Sequence, residues 1–497
     1  MLKKTFLLNL IVLAIIILVR ECSSKQPTPL AAVRRPVFVA TACEFTIPAG
    51  YEVDCGYLIV PENRNQSDSP DVRLHVGIFR SKSSKPASDP VILLDGGPGA
   101  NSLGQSARFM QIGGDQILET RDYILFNQRG THYAEPSLEC PGQKEFYREL
   151  MEQALNHQER DAKEIEFLLA CQEALLARGI NLAAYNSAEN AADVSDLWEA
   201  LGYDQVNLYG GSYGTRLALT IMRDHPEAIR SVILDSVLPL QVGFDIEVAS
   251  SANRAFSTLF DGCAADNECD VRYPDLEEVF YRVVDELDAN PTTVRIKGDA
   301  VAAWVDGDVF MDAIFGSLYR TDAIPWIPLM IYEASRGNLD ATRTPLEVMY
   351  DGGRISSGMY HSVQCREEVA FESHEDALAR AADLPPQIVE HFASAFTFTL
   401  CESWQSGQAN PVENEPVVSE IPTLVLTGQY DPVTPPAFGQ LAVESLVNSS
   451  LYEFPGAGHG VSFSSLCALD VVLGFLNDPS KEPDTSCIDK LAGPDFK

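Results

Sequence analysis

The chain has 497 residues, of which 45% are hydrophobic and 22% charged, the composition of a globular protein rather than a disordered one. Its 71 acidic and 36 basic residues give a net charge of −35, which argues against a nucleic-acid partner and against adsorption to an anionic membrane surface. The length exceeds one simple core, so a large domain with an insertion, or two domains, is expected.

The N-terminus reads "MLKKTFLLNLIVLAIIILVRECSSK", with Lys3 and Lys4 ahead of an uncharged, mostly apolar stretch from Phe6 to Val19. That stretch suits a signal-peptide core and is short for a membrane span, so residues 1–24 are read as a signal peptide or N-terminal anchor and export is expected. Cys22 raises lipid attachment, but Glu21 stands where such signals carry a small residue. The chain has 11 cysteines, and without Cys22 they fall into neighbouring pairs: 43 with 55, 140 with 171, 263 with 269, 365 with 401, and 467 with 487. Five local disulfides are the natural reading in an oxidising compartment, although spacing alone leaves the pairing open. No CxxC or Cys/His cluster has zinc spacing, so no metal is expected; the serine chemistry considered below calls for no cofactor.

From about Cys43 to His75, "CGYLIVPEN" and "VRLHVGIF" alternate polar and apolar residues and predict an antiparallel hairpin at a sheet edge. Short apolar runs ending in turn residues follow: "VILLDGGPG" from Val91, "YILFNQRG" from Tyr123, "VNLYGGSYG" from Val206, "SVILDS" from Ser231 and "PTLVLTGQYDP" from Pro422. They fit strands buried on both faces of a mostly parallel sheet. "SAENAADVSDLWEALG", Ser187 to Gly202, reads as a helix with a glycine stop. Strands alternating with helices mean an α/β fold. The alternation lapses between about Val237 and Val417, where runs such as "DLEEVFYRVVDELDA" and "DVFMDAIFGSLYR" predict helices. The expected organisation is therefore an α/β core over 33–236 and 418–497, with a helical cap over 237–417.

"GGSYG", Gly210 to Gly214, matches G-x-S-x-G between a predicted strand and a predicted helix. Such a sharp turn crowds its backbone and needs small residues two places before and after the serine, which Gly210 and Gly214 supply. Ser212 is thus a candidate nucleophile at a strand's carboxyl end; the plainer reading is a capping serine in a glycine turn. A serine needs a base oriented by a carboxylate, and α/β hydrolases order them Ser, acid, His. Among eight histidines, only His459 in "GAGHG" follows Ser212 in a loop after an apolar run outside the cap. Asp431 in "TGQYDP" is the favoured acid, and Asp235, ending "SVILD", is its rival. The N–H groups of Tyr213 and of Gly97, in the Gly96-Gly97-Pro98-Gly99 loop, are the candidate oxyanion hole.

Taken together, "LLDGGPGANS", "FNQRGTHYAEPSLEC", "YNSAENAADVSDLWEALG", "LYGGSYGTRLAL" and "TGQYDPVTPP…GAGHG" resemble the proline iminopeptidase and tripeptidyl aminopeptidase family of α/β hydrolases. The resemblance implies the α/β-hydrolase fold. It also implies an exported serine peptidase that acts on peptides with a free N-terminus, often with a proline preference. It further implies a cap acid for the substrate ammonium, for which Glu367 and then Glu368 in "SVQCREEVAF" are the candidates. The chain departs from the family pattern at Asp95, Asn127 and His132, near the site entrance. A carboxylesterase for small acyl esters is the alternative, since triad and oxyanion hole serve both reactions; a non-catalytic binding protein on the same scaffold is a third reading.

Overall fold

The computed structural model describes residues 36–298, 300–351 and 355–497. The expected leader and Cys22 lie outside the described residues, among which no helix is long and apolar enough to cross a membrane.

Eleven strands are described: β1 (Val37–Thr41), β2 (Val53–Pro61), β3 (Asp71–Phe79), β4 (Val91–Leu94), β5 (Tyr123–Phe126), β6 (Val206–Gly211), β7 (Ile229–Asp235), β8 (Thr292–Ile296), β9 (Val301–Val305), β10 (Thr423–Gly428) and β11 (Ser449–Phe454). Nine of them form one sheet in the order β1-β2-β3-β5-β4-β6-β7-β10-β11. β1, β2 and β3 pair antiparallel and β3 pairs antiparallel with β5. From β5 to β11 every pairing is parallel. Every residue of β4, β5 and β10 is buried, as continuous apolar runs covered on both faces should be. The expected hairpin is β2–β3. β1 was not anticipated; it is an outer edge strand with Val37 and Val39 half exposed.

Helices that bear on the site are α1 (His157–Ala177), α2 (Ser187–Leu201), α3 (Tyr213–Asp224), α4 (Phe244–Ala265), α5 (Leu276–Ala289), α6 (Gly307–Leu318), α7 (Ser357–Glu367), α8 (Pro386–Phe392) and α9 (Leu466–Asn477). α2 begins where the Asn186 side chain accepts the N–H of Glu189 and stops at Gly202 in the left-handed region. One face of the sheet packs with α1, α2 and α3, the other with α9.

The segment expected to be helical is mainly so, but it also carries the two-stranded antiparallel sheet β8–β9. It packs in two directions. Phe256, Phe280, Phe310 and Ile388, on α4, α5, α6 and α8, share a separate hydrophobic core. Met359 and Val363 of α7, with Leu400 and Trp404, join Leu168 and Leu175 of α1 in the core beside the sheet. Disulfides join Cys43–Cys55, Cys140–Cys171, Cys263–Cys269, Cys365–Cys401 and Cys467–Cys487, the neighbouring pairs expected from the sequence.

Because β4, β6, β7, β10 and β11 run parallel, the loops after all five open at one end of the sheet. A buried ion network braces that side of the core. Arg129, just after β5, donates from Nε and Nη2 to both Asp193 oxygens at 2.7 Å and from Nη1 to the carbonyls of Glu62 and Ala184. Arg64 binds the same Asp193 at 2.8 Å. Removing one member of a fully buried pair strands the other's charge, at a cost of about 3–5 kcal/mol. Asp193→Asn is therefore expected to lower stability by about that amount in urea unfolding, with the residue's volume unchanged.

Candidate active site

Ser212 closes β6 and precedes α3 with φ 56° and ψ −127°, a left-handed backbone that side-chain-bearing residues rarely adopt. The tight turn explains its glycines. A Cβ at Gly210 would lie 2.5 Å from the Gly214 carbonyl oxygen, and one at Gly214 only 1.8 Å from that of Leu94. The Ser212 N–H donates to the Asp235 carbonyl at 3.0 Å, tying the turn to the end of β7.

Asp431 and His459 meet beyond β10 and β11. His459 Nδ1 lies 2.8 Å from Asp431 Oδ2, and the carboxylate is fully buried. Asp431 Oδ1 accepts the N–H groups of Val433 and Thr434 at 2.9 Å, and Oδ2 accepts the Thr434 hydroxyl at 2.8 Å. Burial opposes charge on both partners, but each outweighs it for the other. Asp431 is held below the usual carboxylate range, and His459 is raised above the ordinary imidazole value by the Asp431 charge and hydrogen bond, with Asp235 adding to it. Thr434 was not singled out from the sequence; its place three residues after a strand-end aspartate was the available signal.

Asp235, the rival acid, serves a different purpose. Its carboxylate accepts the N–H groups of Val461 and Ser462 at 2.8 Å, and the Ser236 hydroxyl accepts that of Gly460 at 2.8 Å. One stretch, Asp235–Ser236, thus anchors the serine turn through its backbone and the histidine loop through its side chains. Among the described contacts no hydrogen bond joins Ser212 Oγ to the His459 ring. Such bonds are often long without substrate and shorten when the complex forms.

The helical segment grips the same loops. The His459 N–H donates to the Tyr319 carbonyl at 3.1 Å, the Gly458 N–H to the Thr321 hydroxyl at 3.0 Å, and the Tyr319 ring lies 5.1 Å from the imidazole. A Cβ at Gly458 would sit 2.4 Å from the Leu318 carbonyl, so this glycine answers close approach. Arg254 of α4 donates to the carbonyls of Gln429 and Asp431.

On the other side of Ser212 lies the glycine loop after β4. A Cβ at Gly96 would be 3.1 Å from Ser212 Cβ, and Gly97 has φ 109°. Tyr213, first residue of α3, presents one of the N–H groups a helix start leaves without an intrahelical acceptor. Asp95 takes the Gly96 N–H at 2.9 Å and the Ser102 hydroxyl at 3.1 Å. Asn127 accepts the Leu103 N–H at 3.2 Å, and His132 pairs with Glu139 at 2.8 Å.

Glu367 and Glu368 are buried beside Arg216, one turn past Ser212 on α3. Arg216 Nε is 3.5 Å from Glu367 and Nη1 3.0 Å from Glu368. Glu367 also accepts the Ser187 N–H at 2.5 Å, and Glu368 that of Phe244 at 3.1 Å. Two further acids missed in the sequence crowd this place. Burial first, then the charges of Glu368 and Asp245, push Glu372 up to about 9; burial pushes Asp245 up to about 7, with Glu368 adding to it. Glu372 Oε1 is a buried oxygen with no hydrogen-bond donor. Among the described residues, His157, Asp308 and His391 bring side chains of metal-ligating type together elsewhere.

Two outcomes follow from this geometry. Gly214→Ala is expected to abolish the native turn, seen as loss of soluble, cooperatively unfolding protein, whereas Gly142→Ala, in open space at the surface, should add only left-handed backbone strain. Histidine NMR should find His459 titrating above the ordinary ~6.5, so its neutral ring accumulates only as pH rises past that midpoint. Asp431→Asn removes the opposing charge while burial remains, and is expected to move the midpoint down.

Comparison with known proteins yields two family models. "Alpha/beta hydrolase fold" matches residues 89–328 and "TAP-like protein" matches residues 387–487. Serine protease Hip1 of Mycobacterium tuberculosis is 24% identical over 451 residues, covering 84% of this chain and 83% of its own. Putative hydrolase YuaR of Escherichia coli is 23% identical over 469 residues, 88% of each chain. Tripeptidyl aminopeptidase of Streptomyces lividans is 25% identical over 203 residues, 40% of this chain and 37% of its own. The two matched regions contain strands β4 to β11 and run into the helical segment from either end; with the nine-stranded sheet they show an α/β-hydrolase fold, and the chain is a serine hydrolase whose C-terminal part is similar to TAP-like proteins.

Proposed function

We propose that this protein is an exported serine aminopeptidase that cleaves peptides from a free N-terminus through an acyl-enzyme, with Ser212, His459 and Asp431 as its triad. The observation that carries the reading is the buried Asp431–His459 hydrogen bond on a loop stapled, through Asp235 and Ser236, to the same strand end as the strained Ser212 turn.

The chemistry follows from that layout. The Ser212 hydroxyl attacks the scissile carbonyl as its proton passes to His459 Nε2. Asp431, accepting from Nδ1, holds the ring in the tautomer that leaves Nε2 free and stabilises the imidazolium. The N–H groups of Gly97 and Tyr213 would receive the oxyanion. When the C–N bond breaks, His459 returns the proton to the leaving amine. Water, deprotonated by the same ring, then releases the acyl group and restores Ser212.

Recognition of the substrate ammonium is assigned to the acids near Arg216. Glu367 is engaged by Ser187 and Arg216, which suits a supporting role. Glu368 lies between Arg216 and two acids, Asp245 and Glu372, that burial and mutual repulsion hold toward their neutral forms; an arriving ammonium would draw them into the charged form, and Glu372 Oε1 is an unused acceptor. Export is supported by the five disulfides and the apolar leader.

A panel of aminoacyl, tripeptidyl and N-blocked anilides, with simple aryl esters alongside, tests the reading. Free-amine anilides should be cleaved, including some with proline at the cut, and N-acetylation should abolish turnover. Preference for aryl esters regardless of the amine would instead favour a carboxylesterase. Ser212→Ala should remove all turnover and fluorophosphonate labelling; an unlabelled wild type would favour a binding protein. Asp431→Asn should lower kcat by about four orders of magnitude, the scale of a triad aspartate. Since neutral His459 is the base, kcat/KM should rise with pH through an apparent pKa above ~6.5.

A further inference from the structure

The cluster of His157, Asp308 and His391 lies apart from the site described above and takes no part in the proposed reaction. His157 is the first residue of α1, Asp308 lies in the first turn of α6, and His391 in the last turn of α8. His157 and His391 stand 151 and 83 residues from Asp308, so no sequence spacing announces them. Folding nevertheless brings one ligand atom from each within 4.8 Å of the others. The His391 side chain is only 9% exposed, and those of Asp308 and His157 are 14% and 22% exposed, so the group is largely enclosed yet open on one side.

The arrangement around each ring is specific. Both imidazoles turn Nδ1 toward the same carboxylate: His157 Nδ1 is 3.1 Å from Asp308 Oδ2, and His391 Nδ1 is 2.9 Å from Asp308 Oδ1. Each ring then points Nε2 at an outer carboxylate. His391 Nε2 is 2.8 Å from Asp312 Oδ1, and His157 Nε2, which makes no hydrogen bond, is 3.4 Å from Asp161 Oδ2. A neutral imidazole has one N–H and cannot donate at both nitrogens. Positive charge is therefore called for between the carboxylates, which raise His157 above the ordinary imidazole value and, against burial, His391 to about 10. A divalent cation between the two Nδ1 atoms and Asp308 would supply that charge in place of the two Nδ1 protons. Each Nε2–H then donates outward to a carboxylate, the usual second layer around a metal-bound histidine.

We propose that His157, Asp308 and His391 bind one divalent transition-metal ion of the Zn²⁺ class, with Asp161 and Asp312 orienting the two imidazoles from outside. Two nitrogens, one carboxylate and a water complete a four-coordinate set of the kind Zn²⁺ favours, whose ligand atoms stand about 3.4 Å apart. The ion's place is structural. It joins the start of α1 to α6 and α8 of the helical segment. Phe392, next to His391, packs on Phe315 at 4.9 Å, which contacts Tyr319 at 5.6 Å, and the Tyr319 ring lies against His459. The ion would therefore brace the helices that back the wall over His459.

The test uses full-length protein without an oligohistidine tag, stripped by chelator and titrated with Zn²⁺ alone. Calorimetry and elemental analysis are expected to give one ion per chain with micromolar or tighter affinity, together with a raised thermal midpoint. His157→Gln, at a partly exposed helix start, and Asp308→Asn should each lose the stoichiometric ion while circular dichroism stays native. Asp312→Asn should weaken binding about tenfold to a hundredfold, as removal of an outer carboxylate does. His459→Ala should retain the ion, which separates this site from the catalytic imidazole and from the proposed peptidase chemistry. No binding above background in folded wild type, or binding that survives in both His157→Gln and Asp308→Asn, would overturn the proposal.

Discussion

The turn at Ser212 is the constraint on which the rest depends. An L-residue held at φ 56° is tolerated only where its surroundings leave no alternative. Here the Leu94 carbonyl presses against Gly214, Gly214 against Gly210, and the Asp235 carbonyl accepts the serine's own N–H. The strain thus draws β4, β6 and β7 into one contact. The chain reverses from strand to helix within a single residue, which puts the hydroxyl at the sheet's carboxyl end beside the start of α3, where backbone N–H groups favour negative charge.

Two aspartates at neighbouring strand ends divide the work. Asp431 faces the imidazole, and its other lone pairs are taken by Val433 and Thr434, so its position has little freedom. Asp235 holds the loop that carries the imidazole, through the N–H groups of Val461 and Ser462. The helical segment adds a third support. The Tyr319 carbonyl, the Thr321 hydroxyl and Arg254 all bind loops of the sheet. Any motion of that segment must therefore be felt at His459. The precise placing of a side chain comes from such outer contacts as much as from its own.

Charge is distributed to a purpose. Most of the excess acidity that gives −35 is solvated, but Asp245, Glu367, Glu368 and Glu372 are gathered around Arg216 one turn from the serine. Burying several carboxyls with one counter-ion favours their neutral forms, which is why Glu372 is pushed up to about 9 and Asp245 to about 7. In the proposed peptidase reading, a substrate's terminal ammonium would supply the missing positive charge there. In the second gathering, around Asp308, the opposing charge is that of the His157 and His391 imidazoles or, in the proposed site, of the metal ion that replaces their Nδ1 protons.

Much of this was legible in the sequence, because it rests on short-range physics. The apolar runs became buried strands, Gly202 stopped the helix that opens at Ser187, the glycines around Ser212 marked a turn with no room for a side chain, and those around His459 marked a loop. The pairing of Asp431 with His459 could be anticipated from strand-end positions, since parallel strands deliver their loops to one edge. Other features were beyond that reach. β1, the β8–β9 pair, the split packing of the helical segment, the anchoring role of Asp235, the approach of Asp245 and Glu372 to Glu368 and the meeting of residues 157, 308 and 391 all join distant parts of the chain. Local periodicity and spacing carry no record of such contacts, because they arise only when whole helices and sheets settle against one another and bury their shared surface.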